Sequence, residues 1–229
     1  RDIGVTGVQT CALPIFRFRP HNVVTFELKA EYPMTIAIRA EDNADPRTGM
    51  EYGDTQIGDG GFALRLSDGT ITDASWRARC FSRGPVGGDV RSPGVEREAL
   101  PERWFAPDFD DGAWANAVEF ASEEVDPKAC FFEHDFGAAR FVWSEDLALD
   151  NTVLLRTHIE APPRANHAGR PVTAAQAGDR RSRSKRERGG RRGRGAVAKP
   201  PLPDAVDVEI DSACDFELWI DGELVAVDP

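Results

Sequence analysis

"FELWIDGELVAV", residues 216–227, decides the fold class. Two apolar runs flank Asp221-Gly222. That dipeptide suits a type I′ turn, in which both central residues need φ > 0, so the stretch predicts a tight β-hairpin. The same period-2 logic works outward along the chain. VVTFELKA (23–30) places Val24, Phe26, Leu28 and Ala30 on one side, as a half-buried strand does. MTIAIRA repeats the pattern with Met34, Ile36 and Ile38, and GFALRLSDGTI does so with Phe62, Leu64 and Leu66 before turning at Ser67-Asp68-Gly69. SWRARCF, ARFVWSE and NTVLLRTHIE are further strands, the last with Val153, Leu155 and Ile159 on one face. No segment of ten or more residues carries a helical period. ALPERWFAPDFDDGAWANA has room for one short turn of helix, although it carries Pro101 and Pro107. Many short strands joined by Gly/Asp turns predict an all-β sandwich.

Charge divides the chain more sharply than its net −11 suggests. Residues 16–160 carry 15 Lys/Arg against 27 Asp/Glu, and residues 205–229 carry 8 acidic residues and no basic one. Between them, 161–204 carries 12 Lys/Arg against 3 Asp/Glu. The acidic segments repel polyanions, which argues against nucleic acid as the partner of the folded part. No apolar run approaches the roughly 18 residues of a membrane span. No cysteine stands in a CxxC or Cys/His pattern with zinc spacing. Cys80 and Cys130 are the candidate disulfide if the chain is secreted, with buried free thiols as the equal alternative.

Two segments stand apart from the β pattern. Val5 to Ile15, VTGVQTCALPI, looks like the translation of a short-read sequencing adapter, so residues 1–15, Cys11 included, are set aside as an artefact. Protein information is then expected to begin near Phe16, with the true start of the protein lying elsewhere. RRSRSKRERGGRRGRG, within 161–204, has almost no apolar residues to bury. Such a composition does not repay its ordering entropy, so 161–204 is expected to be a disordered basic linker. An RNA-binding Arg/Gly segment is the alternative, weakened by the lack of interleaved aromatics; a shifted reading frame is another.

Trp104 followed by Ala106-Pro-Asp-Phe-Asp-Asp-Gly-Ala-Trp114 is the most distinctive constellation. Its W…FDDxxW form resembles a motif of galactose-binding-like jelly-roll modules, a group that includes sugar-binding domains of some glycoside hydrolases. FELWIDGELV (216–225) is similar to the early hairpin of such modules, and FRFRPHNVVTFELKA (16–30) to a later strand. GDTQIGDGGFALRLSDGT, SWRARCFSRGP and ARFVWSEDLALDNTVLLR resemble downstream strands of a poorly characterised extracellular branch. The resemblance implies a jelly-roll β-sandwich, an extracellular or cell-surface location, and a glycan or other surface ligand. In the motif, Asp110 and Asp111 hold a tight turn through side-chain to backbone bonds while Trp104, Phe109 and Trp114 bury it. Calcium held by Asp108, Asp110 and Asp111 is the alternative, since clustered carboxylates suit a hard cation; no other cofactor is implied.

One departure from the family order matters. The hairpin comes last here, although in such modules it precedes the FRFRPHNVV strand. A tandem array explains this: 16–160 is one copy lacking its first hairpin, and 205–229 is the first hairpin of a second copy. A lone hairpin is marginal in water. A flexible linker of about 44 residues reaches roughly 35–40 Å, so 205–229 is expected to fold back and complete 16–160, as in a circular permutant.

Catalytic patterns are scarce. His21, His134, His158 and His167 are scattered without Ser/Asp or Cys partners. Acidic pairs such as Glu123-Glu124 and Glu145-Asp146 could serve glycoside chemistry, but an acidic chain supplies such pairs by chance. Sugar-binding modules stack aromatic rings on pyranoses, yet most Trp residues here sit in alternating strands and read as core. The ligand-binding candidates at loop ends are Tyr52, Arg83, Arg103 and Trp104, and 82–98 is the expected long loop. Three readings follow: a non-catalytic extracellular carbohydrate-binding module, an accessory domain of a larger glycoside hydrolase, or a structural or adhesive repeat without a small ligand.

Overall fold

The computed structural model describes residues 23–42, 44–50, 60–87, 91–125, 135–160 and 204–228. The adapter-like residues 1–15, nearly all of the basic stretch, Tyr52, Cys130 and His21, His134 and His167 lie outside the described residues. The described residues are almost all β: among them twelve strands form two antiparallel sheets packed face to face as a sandwich. One α-helix, α1 (Ser122–Val125), is a single turn. Among the described residues no helix is long and apolar enough to cross a membrane.

The strands in chain order are β1 (Val24–Lys29), β2 (Met34–Glu41), β3 (Phe62–Leu66), β4 (Arg77–Val86), β5 (Gly94–Arg97), β6 (Ala115–Asn116), β7 (Val118–Phe120), β8 (Phe141–Trp143), β9 (Asp150–Ile159), β10 (Ala205–Ser212), β11 (Asp215–Ile220) and β12 (Glu223–Asp228). The five-stranded sheet runs β1-β10-β3-β8-β7, and the seven-stranded sheet runs β12-β11-β2-β9-β4-β5, with β6 also paired to β4. Alternation decides what each strand buries. Met34, Ile36 and Ile38 of β2, Phe62, Leu64 and Leu66 of β3, and Val153 and Leu155 of β9 meet between the sheets. Val24, Phe26 and Leu28 of β1 lie partly buried against the same core.

The C-terminal segment 205–228 is built into both sheets. β10 lies between β1 and β3, with Val24 opposite Ile210 on one side and Leu64 opposite Ile210 on the other. β11 pairs with β2 along its whole length, Leu218 opposite Ile38. The segment contributes Val206, Val208, Ile210, Phe216, Leu218 and Ile220 to the core, and the Phe216 ring meets Phe62 edge-on at 5.4 Å. The connection from β10 to β11 passes from one sheet to the other at Ala213, whose N–H donates to the Gly61 carbonyl at 3.3 Å. Asp221 and Gly222 join β11 to β12 with φ of 49° and 86°, the sign a type I′ turn requires. Asp221 Oδ1 accepts from the Thr35 amide at 2.7 Å, which ties this turn to the start of β2.

Two local expectations need correction. Residues 82–98 are not one long loop: β4 continues to Val86 and β5 pairs back on it, Ser82 opposite Arg97. Register shifts around Ser82, Arg83 and Val86 irregularise that ladder, and Gly and Pro residues hide it from a period-2 reading. Residues 102–114 form turns rather than helix, and the helical turn falls at α1.

Candidate functional site

Residues facing away from the core on the seven-stranded sheet should be polar if that face meets water. Ala37 of β2, Leu154 of β9 and Trp219 of β11 alternate with core residues, so they point outward, yet Ala37 and Leu154 are fully buried. The W…FDDxxW segment covers them. Trp104 and Trp114 are each 5% exposed and pack with Phe81, Ala37 and Leu154 in a second hydrophobic cluster. Phe105 stacks on Trp219 with centroids 4.0 Å apart, and Trp104 meets both rings edge-on. The ring of Trp104 is therefore a packing element, without an open face to offer a sugar.

One cation holds this segment down. Arg156 projects from the outer face of β9 and is 3% exposed. Its Nε donates to Asp111 Oδ2 at 2.8 Å, Nη1 donates to the Trp104 carbonyl, and Nη2 donates to the Ala106 carbonyl at 3.2 Å. The guanidinium carbon also stands 5.2 Å from the Phe109 centroid. A fork of rigid donors meeting one carboxylate and several carbonyls is geometry that Arg satisfies and Lys does not.

The three carboxylates read as calcium candidates have separate duties. Asp111 pairs with Arg156, Asp110 Oδ1 accepts from the Gly112 amide at 2.9 Å, and Asp108 pairs with exposed Arg103 at 3.0 Å. Among the described residues no group of three His, Cys, Asp or Glu side chains is placed to hold a metal ion. Arg103 itself has a φ of 53°, rare for a residue with a Cβ, and its carbonyl accepts from the Ala106 amide in the same turn.

Beside the covered face, an open groove of about 640 Å³ runs along β4, between the edges formed by β5 and β6. Arg83 lies in it, and among the described residues it is the one sequence-derived ligand-binding candidate that does. Its Nη2 donates to Asp146 Oδ2 at 2.9 Å and its Nε stands 3.5 Å from Asp150 Oδ1. Asp150 is buried at the groove floor, where Ser144 Oγ donates to Oδ2 at 2.7 Å. Ser82, Glu96 and Arg97 continue the polar wall, and Arg79 is paired to Glu98 nearby. Trp114 and Phe81 also line the groove, but both are nearly buried. Among the described residues the exposed large hydrophobics are Val118, Leu224 and Val227, none of them aromatic.

The acidic pairs have structural places. Asp146 caps its own turn by accepting from the Ala148 amide at 3.0 Å, and Glu124 accepts from the Ala121 amide at 2.8 Å at the start of α1. His158 shares a hydrogen bond with Thr35 Oγ1 at 3.0 Å.

Cys80 is a free thiol in the groove wall, hydrogen-bonded to the Ser82 carbonyl at 3.2 Å. Burial, reinforced by the Asp150 carboxylate, pushes it up to about 12 from 9.0. Fully buried Cys214 is also pushed up to about 12, chiefly by burial. At pH 8 this lowers the thiolate fraction about a thousandfold relative to a pKa of 9. In a C11S/C130S variant, iodoacetamide should therefore label the native protein at least a hundredfold more slowly than the urea-unfolded chain. Equal rates would show that these thiols are not held protonated by the fold. The same shifts set an alkaline limit. The folded-state values lie above the unfolded ones, so the stabilisation is complete below pH 9 and is lost as pH climbs towards about 12.

Comparison of the chain with protein-family models, with curated proteins and with solved structures finds no match.

Proposed function

We propose that the chain is a non-catalytic, extracellular ligand-binding module and that its ligand is a carbohydrate held in the groove along β4. The observation that carries this reading is the Arg83–Asp150 pair at the groove floor, continued by Ser82, Glu96 and Arg97. Guanidinium forks and carboxylates present paired donors and acceptors at a spacing that suits vicinal hydroxyls. The resemblance of W…FDDxxW and the hairpin to galactose-binding-like modules supports the same class. The groove is open and offers no ring for stacking, so single-site binding should be weak, with a Kd on the order of 1 mM, about −4 kcal/mol.

A multivalently displayed protein on a glycan array tests this, because avidity lifts weak sites into range. The expected result is retention on a subset of glycans that Arg83→Ala reduces at least tenfold, read well below a melting temperature that the loss of Asp150's partner lowers. No retention on any glycan would sink the reading. The structural or adhesive repeat would then take its place, and one observation already favours it: the large ring faces pack on each other instead of turning outward. An accessory role in a larger glycoside hydrolase shares the binding site and differs only in what flanks the module.

A further inference from the structure

Among the described residues, the contacts that hold segment 204–228 are made with strands remote from it in sequence. β9, the strand before it in sequence, lies in the seven-stranded sheet between β2 and β4, whereas β10 enters the other sheet between β1 and β3. The 43 residues 161–203 separate the two. Every ladder that holds the segment is antiparallel pairing with a strand remote in sequence: β10 with β1 and β3, and β11 with β2. Its core residues and the Thr35–Asp221 bond are equally independent of the covalent link.

Charge also recognises the segment. Residues 205–229 have 8 acidic and no basic side chains. The receiving strands answer with cations at matching positions: Arg65 of β3 pairs with Glu209 of β10, and Arg39 of β2 pairs with Glu217 of β11 at 3.5 Å. A cleft defined by ladder, core and charge cannot distinguish its own segment from an identical one.

We propose that the cleft between β1 and β3, together with the edge of β2 that β11 covers, is an interaction surface for residues 204–228 of a second copy of this chain. Copies are then joined by exchange of the β10–β11–β12 unit, one unit per cleft. A tethered unit has an effective concentration on the order of millimolar, so closure within one chain outcompetes exchange in dilute solution. Exchange takes over where a chain's own unit is defective or engaged elsewhere.

Two full-length variants test this. V208D/I210D carries a defective unit and an intact cleft, while I38D/L64D carries the reverse. Each places two carboxylates in the core, so refolded alone each should lack a cooperative thermal transition. Refolded together from urea in equal amounts, they should regain a transition of about half the wild-type amplitude, in a species with the mass of two chains. A mixture that remains the sum of two unfolded spectra would overturn the proposal. So would a folded species of single-chain mass.

Discussion

Removal of residues 205–229 should leave a chain with no cooperative unfolding transition. The loss is internal to the fold. β1 would keep no ladder partner, β3 would lose one side, and β2 would become a bare edge. Six large apolar core side chains, Val206, Val208, Ile210, Phe216, Leu218 and Ile220, leave with the segment, along with Cys214. At about 1.5–3 kcal/mol each, their burial is worth roughly 9–18 kcal/mol, which matches or exceeds the ~5–15 kcal/mol stability of an ordinary domain. Far-UV circular dichroism on heating reads the result directly. Co-expression of 204–229 as a separate chain should restore the transition, because no pairing depends on the covalent link. A truncated protein that melts cooperatively would show that the two sheets close without β10. A graded version is Ile210→Ala, which empties a fully buried position and should cost about 2–5 kcal/mol by urea denaturation.

Arg156→Ala should be the most damaging single change outside the core between the sheets. It strands the part-exposed Asp111 carboxylate and takes donors from the Trp104 and Ala106 carbonyls, all three groups belonging to the covering segment itself. Removing one partner of a fully buried ion pair costs about 3–5 kcal/mol, and water reaching part-exposed Asp111 keeps this pair's share below that range; each buried carbonyl left unsatisfied adds ~1–3 kcal/mol. Arg156→Lys should recover less than half of that, since one ammonium does not reproduce the fork. The expected readouts are a lower urea midpoint and a red-shifted tryptophan emission as Trp104 and Trp114 become wet. Arg103→Ala is the control: that side chain and its partner Asp108 are each 71% exposed, so stability should move within about 0.5 kcal/mol. If Arg156→Leu matched the wild type within 1 kcal/mol, the covering segment would be held by its rings alone.

Legibility in the sequence followed the range of the interactions. β2, β3, β9 and the β11–β12 hairpin are readable because alternation and Asp221-Gly222 act over a few residues. β10 has the same signature in Val206, Val208 and Ile210, but its acidic, proline-flanked setting reads as the approach to a hairpin and conceals a strand. The β4–β5 pairing is obscured by glycine, proline and shifted register. At the groove, Arg83 stands out as a loop-end cation, whereas Asp150 does not. What distinguishes Asp150 is burial beside Arg83 and Ser144, and no local pattern records burial. Arg156 is similarly silent, since its partners lie about 45–52 residues away. Trp104 misleads in the opposite direction, because a loop-end ring is open only if nothing distant packs on it, and Trp219 does.

The place of β10 also sets a timetable for synthesis. Its neighbour β3 is made about 140 residues before it, which at ~5–20 residues per second is a wait of roughly 7–30 s. Throughout that interval β1 and β3 lack the strand that will lie between them, with Val24, Phe26, Leu28 and Leu64 short of their final cover. A nascent chain that must wait about 140 residues for the strand between β1 and β3 stays adhesive while it emerges, and yield in a host cell should depend on chaperone supply.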